Sequence, residues 1–591
     1  MNWAWIYRKS RTNKPLKPNK ANRYEKTAAS QAERPWRFYI VAALGLLLFG
    51  CLASRLVFLQ VVNQDFLRDQ GEKRSLRELP LYAHRGVVLD RNGEPLAVST
   101  PVDSIWINPK QIIADKVDLT PLAQLLNISL RELKSQVKRQ ASREYVFVKR
   151  HVTPQLGEQV KALRLSGVYT QREYKRYYPA AEVTAHVVGF TNIDDAGQEG
   201  IELAYDSILR GEAGKTRVLQ DRYGRLVKDL GLLEAAQPGK DVALSIDLRL
   251  QYQAYRELKA AVRQHGAKSG SLVMVDVVTG EILAMVNQPA FNPNNRKDMD
   301  PASVRNRAVT DIMEPGSTVK PFTVSAALMS GEFNERSVIA TAPGYMRIGP
   351  KTIRDHSNYG DLTLEGILTK SSNIGASKLA LQIGGLELWQ TMQAAGLGAM
   401  VGVELPGENA GKVAARVERM SNIETATLSY GYGLAITPLQ LAQAYQTLAN
   451  GGVKQHLTIL KRDKIPVGEK VIPEKIARQV VHMMESVVTR EGTARRAAVE
   501  GYRIAGKTGT VHKVGSQGYL EDQYMSLFAG VSPAENPRVA TIVLIDEPSG
   551  KEYYGGEVAA PVFARVNEAS MRLLNVQATQ TPQRSLAGGP R

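Results

Sequence analysis

An uncharged apolar run near the N-terminus constrains this chain before any other feature. From Phe38 to Ser54 no residue carries a charge, and beyond Arg55 the run Leu56-Val57-Phe58-Leu59 continues it. Such a stretch sits at the short end of what spans a bilayer as a helix. Arg55 can snorkel to one interface, and Trp36 sits at the other. Residues 1 to 37 hold ten Lys or Arg against Glu25 and Glu33, so the positive-inside rule places this tail in the cytoplasm and the rest of the chain outside. A cleaved signal peptide fits less well, because the basic region is long and no Ala-x-Ala site follows. Leu48-Phe49-Gly50-Cys51 approximates a lipoprotein box, but Phe49 fits its second place poorly and the apolar run continues past Cys51. The expectation is an uncleaved anchor over residues 38–60.

Anchoring also accounts for charge. Of the net +18, +8 belongs to the first 37 residues. No basic-aromatic motif supports nucleic-acid binding, and none is expected. Cys51 is the single cysteine, which excludes an internal disulfide and a cysteine zinc cluster, and the eight histidines form no His-x-x-x-His pair. Neither metal nor cofactor is therefore expected.

Past the anchor, residues 61–235 are polar with short β-like runs. Val87-Val88-Leu89 leads into an Asp90-Arg91-Asn92-Gly93 turn, Tyr145 to Val148 is a second strand candidate, and Leu122 to Lys138 has helical periodicity. Nothing here assembles a nucleophile with a base, so the region reads as a non-catalytic pedestal. Near Pro238-Gly239 the pattern changes to strand (Val242–Ile246), helix (Leu248–Gln264) and hairpin (Ser271–Val278, Ile282–Val286), an α/β unit with an antiparallel sheet. Helical stretches follow after Ser317, around Leu362 to Ile383 and from Leu439 to Leu448. Strands return at Leu527–Val531 and Val539–Ile545. This second domain covers 236–574, and the polar tail 575–591 reads as disordered.

Within it, Glu314-Pro315-Gly316-Ser317-Thr318-Val319-Lys320-Pro321 carries the chemistry. Pro321 is tolerable near a helix start, so Ser317 is expected to open the first turn. Lys320, three residues on, shares its face, and a desolvated lysine can serve as base to a serine nucleophile. Ser135 and Lys138 repeat the spacing among other cations and read as a solvated helix face. Two companions distinguish Ser317. Ser371-Ser372-Asn373 falls between two helical stretches and offers a hydroxyl and an amide; taken alone, it reads as a loop or helix cap. Lys507-Thr508-Gly509-Thr510 reads as a strand bordering a cleft, where Lys507 and Thr508 can meet a carboxylate. The same residues mimic a phosphate loop, Gly501 to Thr508, with Val543 to Asp546 as magnesium partner. Gly509-Thr510-Val511 makes a poor helix start, so a membrane-tethered NTPase is the weaker reading.

Ser-x-x-Lys, Ser-x-Asn and Lys-Thr-Gly in this order resemble the penicilloyl serine transferases. Over residues 38 to 570 the chain resembles the class B penicillin-binding proteins, and among them the division-type peptidoglycan D,D-transpeptidases. His84-Arg85-Gly86, Tyr177-Tyr178-Pro179 and Gly200-Ile201-Glu202 are similar to the family's pedestal signatures. Tyr430-Gly431-Tyr432-Gly433 and Tyr554-Gly555-Gly556 are similar to the division branch, whereas His512 stands where that branch often has Arg or Lys. The resemblance implies an α+β chain: one transmembrane helix, an elongated β-rich pedestal, and a β-lactamase-like domain with a central antiparallel sheet and an all-helical subdomain.

It further implies an inner-membrane enzyme cross-linking septal peptidoglycan from the periplasmic side. Ser317 would attack the penultimate D-alanine of a stem peptide with Lys320 as base. Ser371 would relay a proton and Asn373 would hold the peptide. The Ser317 and Thr510 NH groups would form the oxyanion hole. Lys507, Thr508, Gly509 and Thr510 would take the terminal carboxylate, with Tyr432 and Tyr554 also contacting substrate. β-Lactams would acylate the same serine. Implied partners are the membrane, a lipid II polymerase of the FtsW type and other divisome proteins. A hydrolase of the same fold would use the same three motifs, and a non-enzymatic division scaffold or penicillin sensor would keep the pedestal and dispense with turnover. An export-dependent reporter fused after residue 575 is expected to be active, and one fused before Phe38 inactive; the reverse pattern contradicts the orientation.

Overall fold

The computed structural model describes residues 36–579 apart from 68–75, 82, 221–225, 298, 414–415 and 516–517. Nearly all of the basic tail and residues 580–591 lie outside the described residues. Residues 1–77 and 78–591 form two separate units. In the first, helix α1 (Trp36–Val57) runs into a π-helical turn at Phe58–Val62. Together they are long and apolar enough to cross a membrane, with no residue buried by the protein.

In the second unit, the pedestal is organised on the long strand β1 (Pro95–Ile107). Helices α2 (Thr120–Leu126) and α3 (Leu130–Arg139) cover part of it, where the sequence pattern read as one helix. Asn127 adopts a left-handed conformation that ends α2, and the Ser129 hydroxyl accepts the Glu132 NH to start α3. Strands β2 (Val146–Val152) and β3 (Val168–Tyr177) both pair antiparallel with β1. Strands β4 (Gly214–Gln220) and β5 (Leu226–Glu234) form a hairpin.

This outer lobe has its own core around Ile105, Leu122, Leu126 and Val160. The pedestal's base has none of its own: Val88, Leu96, Tyr178 and Ile201 belong to the same apolar core as the C-terminal domain. Two of the pedestal signatures, with Arg176 just before the third, meet at one buried ionic knot. The Arg85 guanidinium donates to Glu202 (2.7 Å), Asp206 (2.7 Å) and the Asp195 carbonyl (3.0 Å), and Arg176 donates to the other oxygen of Glu202 (2.6 Å). Arg85 and Glu202 are wholly inaccessible to solvent.

The C-terminal domain is built on a five-stranded antiparallel sheet. In chain order come α4 (Leu248–Gln264), β6 (Ser269–Asp276), β7 (Ile282–Gln288) and α5 (Lys320–Met329). Next are the hairpin β8 (Tyr345–Ile348) and β9 (Lys351–Arg354), α6 (Leu364–Lys370) and α7 (Asn373–Ile383). Then come α8 (Pro438–Ala449), α9 (Glu474–Glu485), β10 (Ala505–Gly515), β11 (Gly518–Ser532), β12 (Val539–Asp546) and α10 (Ala560–Leu573). The strand order is β7-β6-β12-β11-β10, which leaves β10 at an edge.

Every residue of β6 and β12 is buried, so both faces of the sheet are covered and alternation gives way to continuous apolar runs. Helices α4 and α10 pack on each other and on the sheet, and α8, buried along its whole length, lies against β6, β11 and β12. The tail read as disordered from Asn575 is held as far as Thr579. The Tyr502 hydroxyl donates to the Val576 carbonyl, and the Thr579 NH to that of Gly501. Such main-chain contacts leave no mark in a polar composition.

Removing one partner of a buried, hydrogen-bonded ionic cluster strands the others without compensation. Arg85→Ala is therefore expected to cost about 3–5 kcal/mol. Thermal unfolding of the full-length protein in detergent checks this, and an unchanged midpoint contradicts it.

Candidate active site

The nucleophile candidate sits where a tight turn meets the sheet edge. Gly316–Val319 winds as a 3-10 turn and the α-helix proper begins at Lys320, with Pro321 in its first turn. Ser317 thus lies one turn earlier than a helix-opening position. Gly316 has φ +54°, and a Cβ there would stand 2.3 Å from the Val511 side chain. At Gly509 of β10 a Cβ would lie 3.0 Å from the Pro315 carbonyl and 3.0 Å from the Thr318 methyl. Two glycines therefore let the edge strand lie directly on the turn. The Tyr445 hydroxyl of α8 locks it from below by donating to the Thr318 carbonyl at 2.8 Å.

Lys320 is fully buried, and its Nζ meets four oxygens: Ser371 O at 2.6 Å, Asn373 Oδ1 at 2.8 Å, Ser317 Oγ at 3.0 Å and Ser371 Oγ at 3.2 Å. Two of these, a peptide carbonyl and an amide carbonyl, can only accept. A neutral amine has two hydrogens and one lone pair, so these two acceptors occupy its hydrogens and leave the lone pair for a hydroxyl. Burial, with the Lys507 ammonium nearby, pushes Lys320 well below the usual lysine range, while Asp355 opposes the shift.

Ser371 ends α6 in a left-handed conformation, φ +57°, which turns its carbonyl and hydroxyl toward Lys320. The Ser372 hydroxyl accepts the Gly375 NH and starts α7, so the helical pattern around 362–383 divides at the motif itself. Asp355, which sequence reading passed over, anchors this start. Its carboxylate accepts from Ser372 Oγ (2.5 Å), Asn373 N (2.5 Å) and Ile374 N (3.1 Å). The Asn373 amide donates to the Arg354 carbonyl at 3.1 Å. Nothing in the sequence marks Asp355, because it lies 17 residues upstream of Ser372 and works through the β8–β9 hairpin.

Lys507 on β10 is also fully buried, and its Nζ donates to Ser371 Oγ at 2.9 Å and to the Thr508 carbonyl at 3.2 Å. Burial lowers it to about 7. Ser371 Oγ therefore bridges two lysines. Thr508 Oγ1 is 2.7 Å from Thr493 Oγ1, and Thr510 Oγ1 accepts the Gly555 NH at 2.9 Å. Gly506-Lys507-Thr508 lies within a strand at the sheet edge, with no phosphate-cradling loop and no helix after it, which disposes of the NTPase reading.

A cleft of about 560 Å³ is lined by Ser317, Ser371, Asn373, Thr508, Thr510 and Tyr554, together with Thr493, Lys370, Arg495 and Arg496, which the motifs did not flag. Of the expected contact residues, Lys507, Gly509 and Tyr432 are absent from this lining. Tyr432 stands apart from the cleft wall. Its ring packs against Tyr430 (5.5 Å) and Tyr519 (5.7 Å), half-buried beside Glu314. A second cavity of about 580 Å³ between the end of α8, α9 and Pro537 has no serine, threonine or cysteine in its lining. Among the described residues no His, Cys, Asp and Glu group has metal-binding geometry.

Residues 270–568 match the penicillin-binding protein transpeptidase domain, and residues 80–244 match the penicillin-binding protein dimerisation domain. This chain belongs to the class B penicillin-binding proteins. It is 44% identical over 549 residues to the peptidoglycan D,D-transpeptidase FtsI of Escherichia coli K12, covering 92% of each chain. It is 43% identical over 547 residues to the probable peptidoglycan D,D-transpeptidase PbpC of Pseudomonas aeruginosa, covering 93% of this chain and 97% of the relative. Among solved structures, penicillin-binding protein 3 of Mycobacterium tuberculosis, complexed with aztreonam, aligns with a TM-score of 0.66 at 27% identity. That alignment covers 85% of this chain and 99% of the other. The transpeptidase domain of Burkholderia pseudomallei penicillin-binding protein 3 aligns with a TM-score of 0.53 at 40% identity, covering 57% and 98%.

In this penicillin-binding protein the two lysines are electrostatically linked. Lys320 can accept a proton only when neutral, and the positive charge of Lys507 favours that neutral form. Removing the charge in Lys507→Gln raises the Lys320 pKa, so the ascending limb of the pH profile for serine acylation is expected to move to higher pH. Lys507→Arg keeps the charge and is expected to hold the limb near its original position. A stationary limb in Lys507→Gln contradicts the linkage.

Proposed function

We propose that this protein is a septal peptidoglycan D,D-transpeptidase acting through an acyl-enzyme on Ser317. The observation that carries the reading is the Lys320 amine, held 3.0 Å from Ser317 Oγ while two carbonyl oxygens occupy its hydrogens. Ser317 Oγ attacks the carbonyl carbon of the penultimate D-alanine in a donor stem peptide, and its proton passes to Lys320 Nζ. The Ser317 and Thr510 NH groups receive the oxyanion from the turn and from the edge strand. Collapse of the tetrahedral species breaks the C–N bond, and Ser371 Oγ, between Lys320 and Lys507, hands the proton to the departing amine of the terminal D-alanine.

Asn373 holds the donor's backbone, Thr508 and Thr510 hold its terminal carboxylate, and Tyr554 lines the same cleft. Gly509 contributes by close approach of the strand. An amine of a neighbouring stem then attacks the ester carbonyl and frees Ser317. A β-lactam follows the first half of this path and stops at the ester. The apolar helix holds the chain in the inner membrane as a single-pass anchor. The N-terminus is cytoplasmic and the catalytic domain periplasmic, beside a lipid II polymerase and other divisome proteins at the septum.

Full-length protein treated with benzylpenicillin is expected to carry one adduct on the Ser317 peptide by mass spectrometry, and Ser317→Ala to carry none. If Lys320 is the base, Lys320→Arg and Lys320→Ala lower the acylation rate to similar depth, roughly 10²- to 10⁴-fold, because guanidinium stays protonated. Near-normal acylation by the arginine variant rules out the base assignment.

A further inference from the structure

The cleft has a cationic end that the acyl-transfer steps leave unused. Beyond Thr508 its wall is formed by the turn at residues 492–496 and the last turn of α6, and the Thr493 and Thr508 hydroxyls, 2.7 Å apart, tie that turn to the edge strand. Lys370, Arg495 and Arg496 line this end against one carboxylate, Glu557. Arg496 is committed: it pairs with Glu552 at 2.9 Å and donates to the Glu557 carbonyl at 3.4 Å. Lys370 Nζ donates to the Glu491 carbonyl at 3.0 Å, a neutral partner. Arg495 is exposed and makes no ion pair among the described residues. Two cations thus border the cleft without a counter-charge.

The lysine of the Lys-Thr-Gly strand is already engaged. Lys507 is fully buried and donates to Ser371 Oγ and the Thr508 carbonyl. The Thr508 hydroxyl is shared with Thr493, and the Thr510 hydroxyl already accepts the Gly555 NH. A carboxylate entering here finds hydroxyl donors on the strand and positive charge on the wall tied to it. Lys370 immediately precedes Ser371, the hydroxyl that in the proposed reaction hands a proton to the departing amine, and on that reading this end of the cleft is assigned to the leaving group.

We propose that Arg495 and Lys370 form a carboxylate subsite on the leaving-group side, a specificity-determining pair for the reaction. This rests on the transpeptidase reading above. The carboxylate comes from one of two sources with the same chemistry: the donor's terminal D-amino acid, or the acceptor stem.

Two synthetic donors separate charge from shape: an acyl-D-alanyl thioglycolate, whose leaving group ends in a carboxylate, and its thioglycolamide counterpart. In both, a bond forms between Ser317 Oγ and the acyl carbon, the C–S bond breaks, and the serine proton leaves with the thiol. In full-length protein in detergent, Arg495→Gln is expected to lower the acylation rate ratio of carboxylate over carboxamide donor roughly fivefold to tenfold. Arg495→Lys retains most of the ratio, and Lys370→Gln combined with Arg495→Gln lowers it further. Raising ionic strength reduces the ratio in the wild type, as exposed charges are screened.

If the acylation ratio holds while the preference for D-alanine over D-alaninamide as acceptor falls, the subsite serves the acceptor stem, and the proposal stands with that source. If Arg495→Gln changes neither ratio, or slows both donors equally, the subsite does not exist. A wild-type protein inert to both thioesters overturns the transpeptidase reading, and this inference with it.

Discussion

Desolvation of one amine governs this structure. Lys320 carries no solvent exposure, and an ammonium in such a place is disfavoured unless a carboxylate answers it. The nearest contacts of its Nζ are two carbonyl oxygens and two hydroxyls, and a second buried lysine stands on the far side of Ser371. The arrangement therefore favours a neutral amine against the Ser317 hydroxyl. Keeping it so requires that three separate elements converge: the turn before α5, the break between α6 and α7, and the edge strand β10. Close packing at Gly316 and Gly509 brings the first and third together, and Asp355 pins the second.

The pedestal follows a different rule. Its outer lobe encloses an apolar core of its own, whereas its base shares one continuous core with the C-terminal domain. Where these parts meet, Arg85, Arg176, Glu202 and Asp206 form a closed ionic knot without water access at its centre. A buried charge cluster of this kind tolerates little displacement, because Glu202 depends on the geometry of both guanidinium groups. Arg85 and Glu202, from signatures more than a hundred residues apart, are thus parts of one structural object.

Legibility differed by mechanism. Helix α4 was readable to the residue, since its apolar spacing and the Asp247 cap are local properties. The β6 and β12 runs were readable because a sheet covered on both faces demands continuous apolar strands, whereas of β11 only the buried end was, its first residues being exposed. The helix over 122–138 was misread as continuous, because a left-handed Asn127 leaves the apolar period undisturbed on either side. Tyr432 enters as a contact residue only through the family resemblance, and in the structure its ring packs against Tyr430 and Tyr519. Asp355 and Thr493 reach the site through hydrogen bonds across loops and carry no motif.

By itself the sequence determined the apolar anchor, the α+β class and the three motifs, because length, period and residue chemistry are properties of neighbouring residues. It determined as well that Ser317 and Lys320 could touch, since three residues of helical rise fix their separation. Only the tertiary structure decided that Lys320 is buried and spends its hydrogens on Ser371 and Asn373, that Lys507 stands behind Ser371, and that Arg495 and Lys370 border the cleft without a counter-charge. Burial and charge balance depend on what the rest of the chain brings near, and no spacing along the chain encodes that.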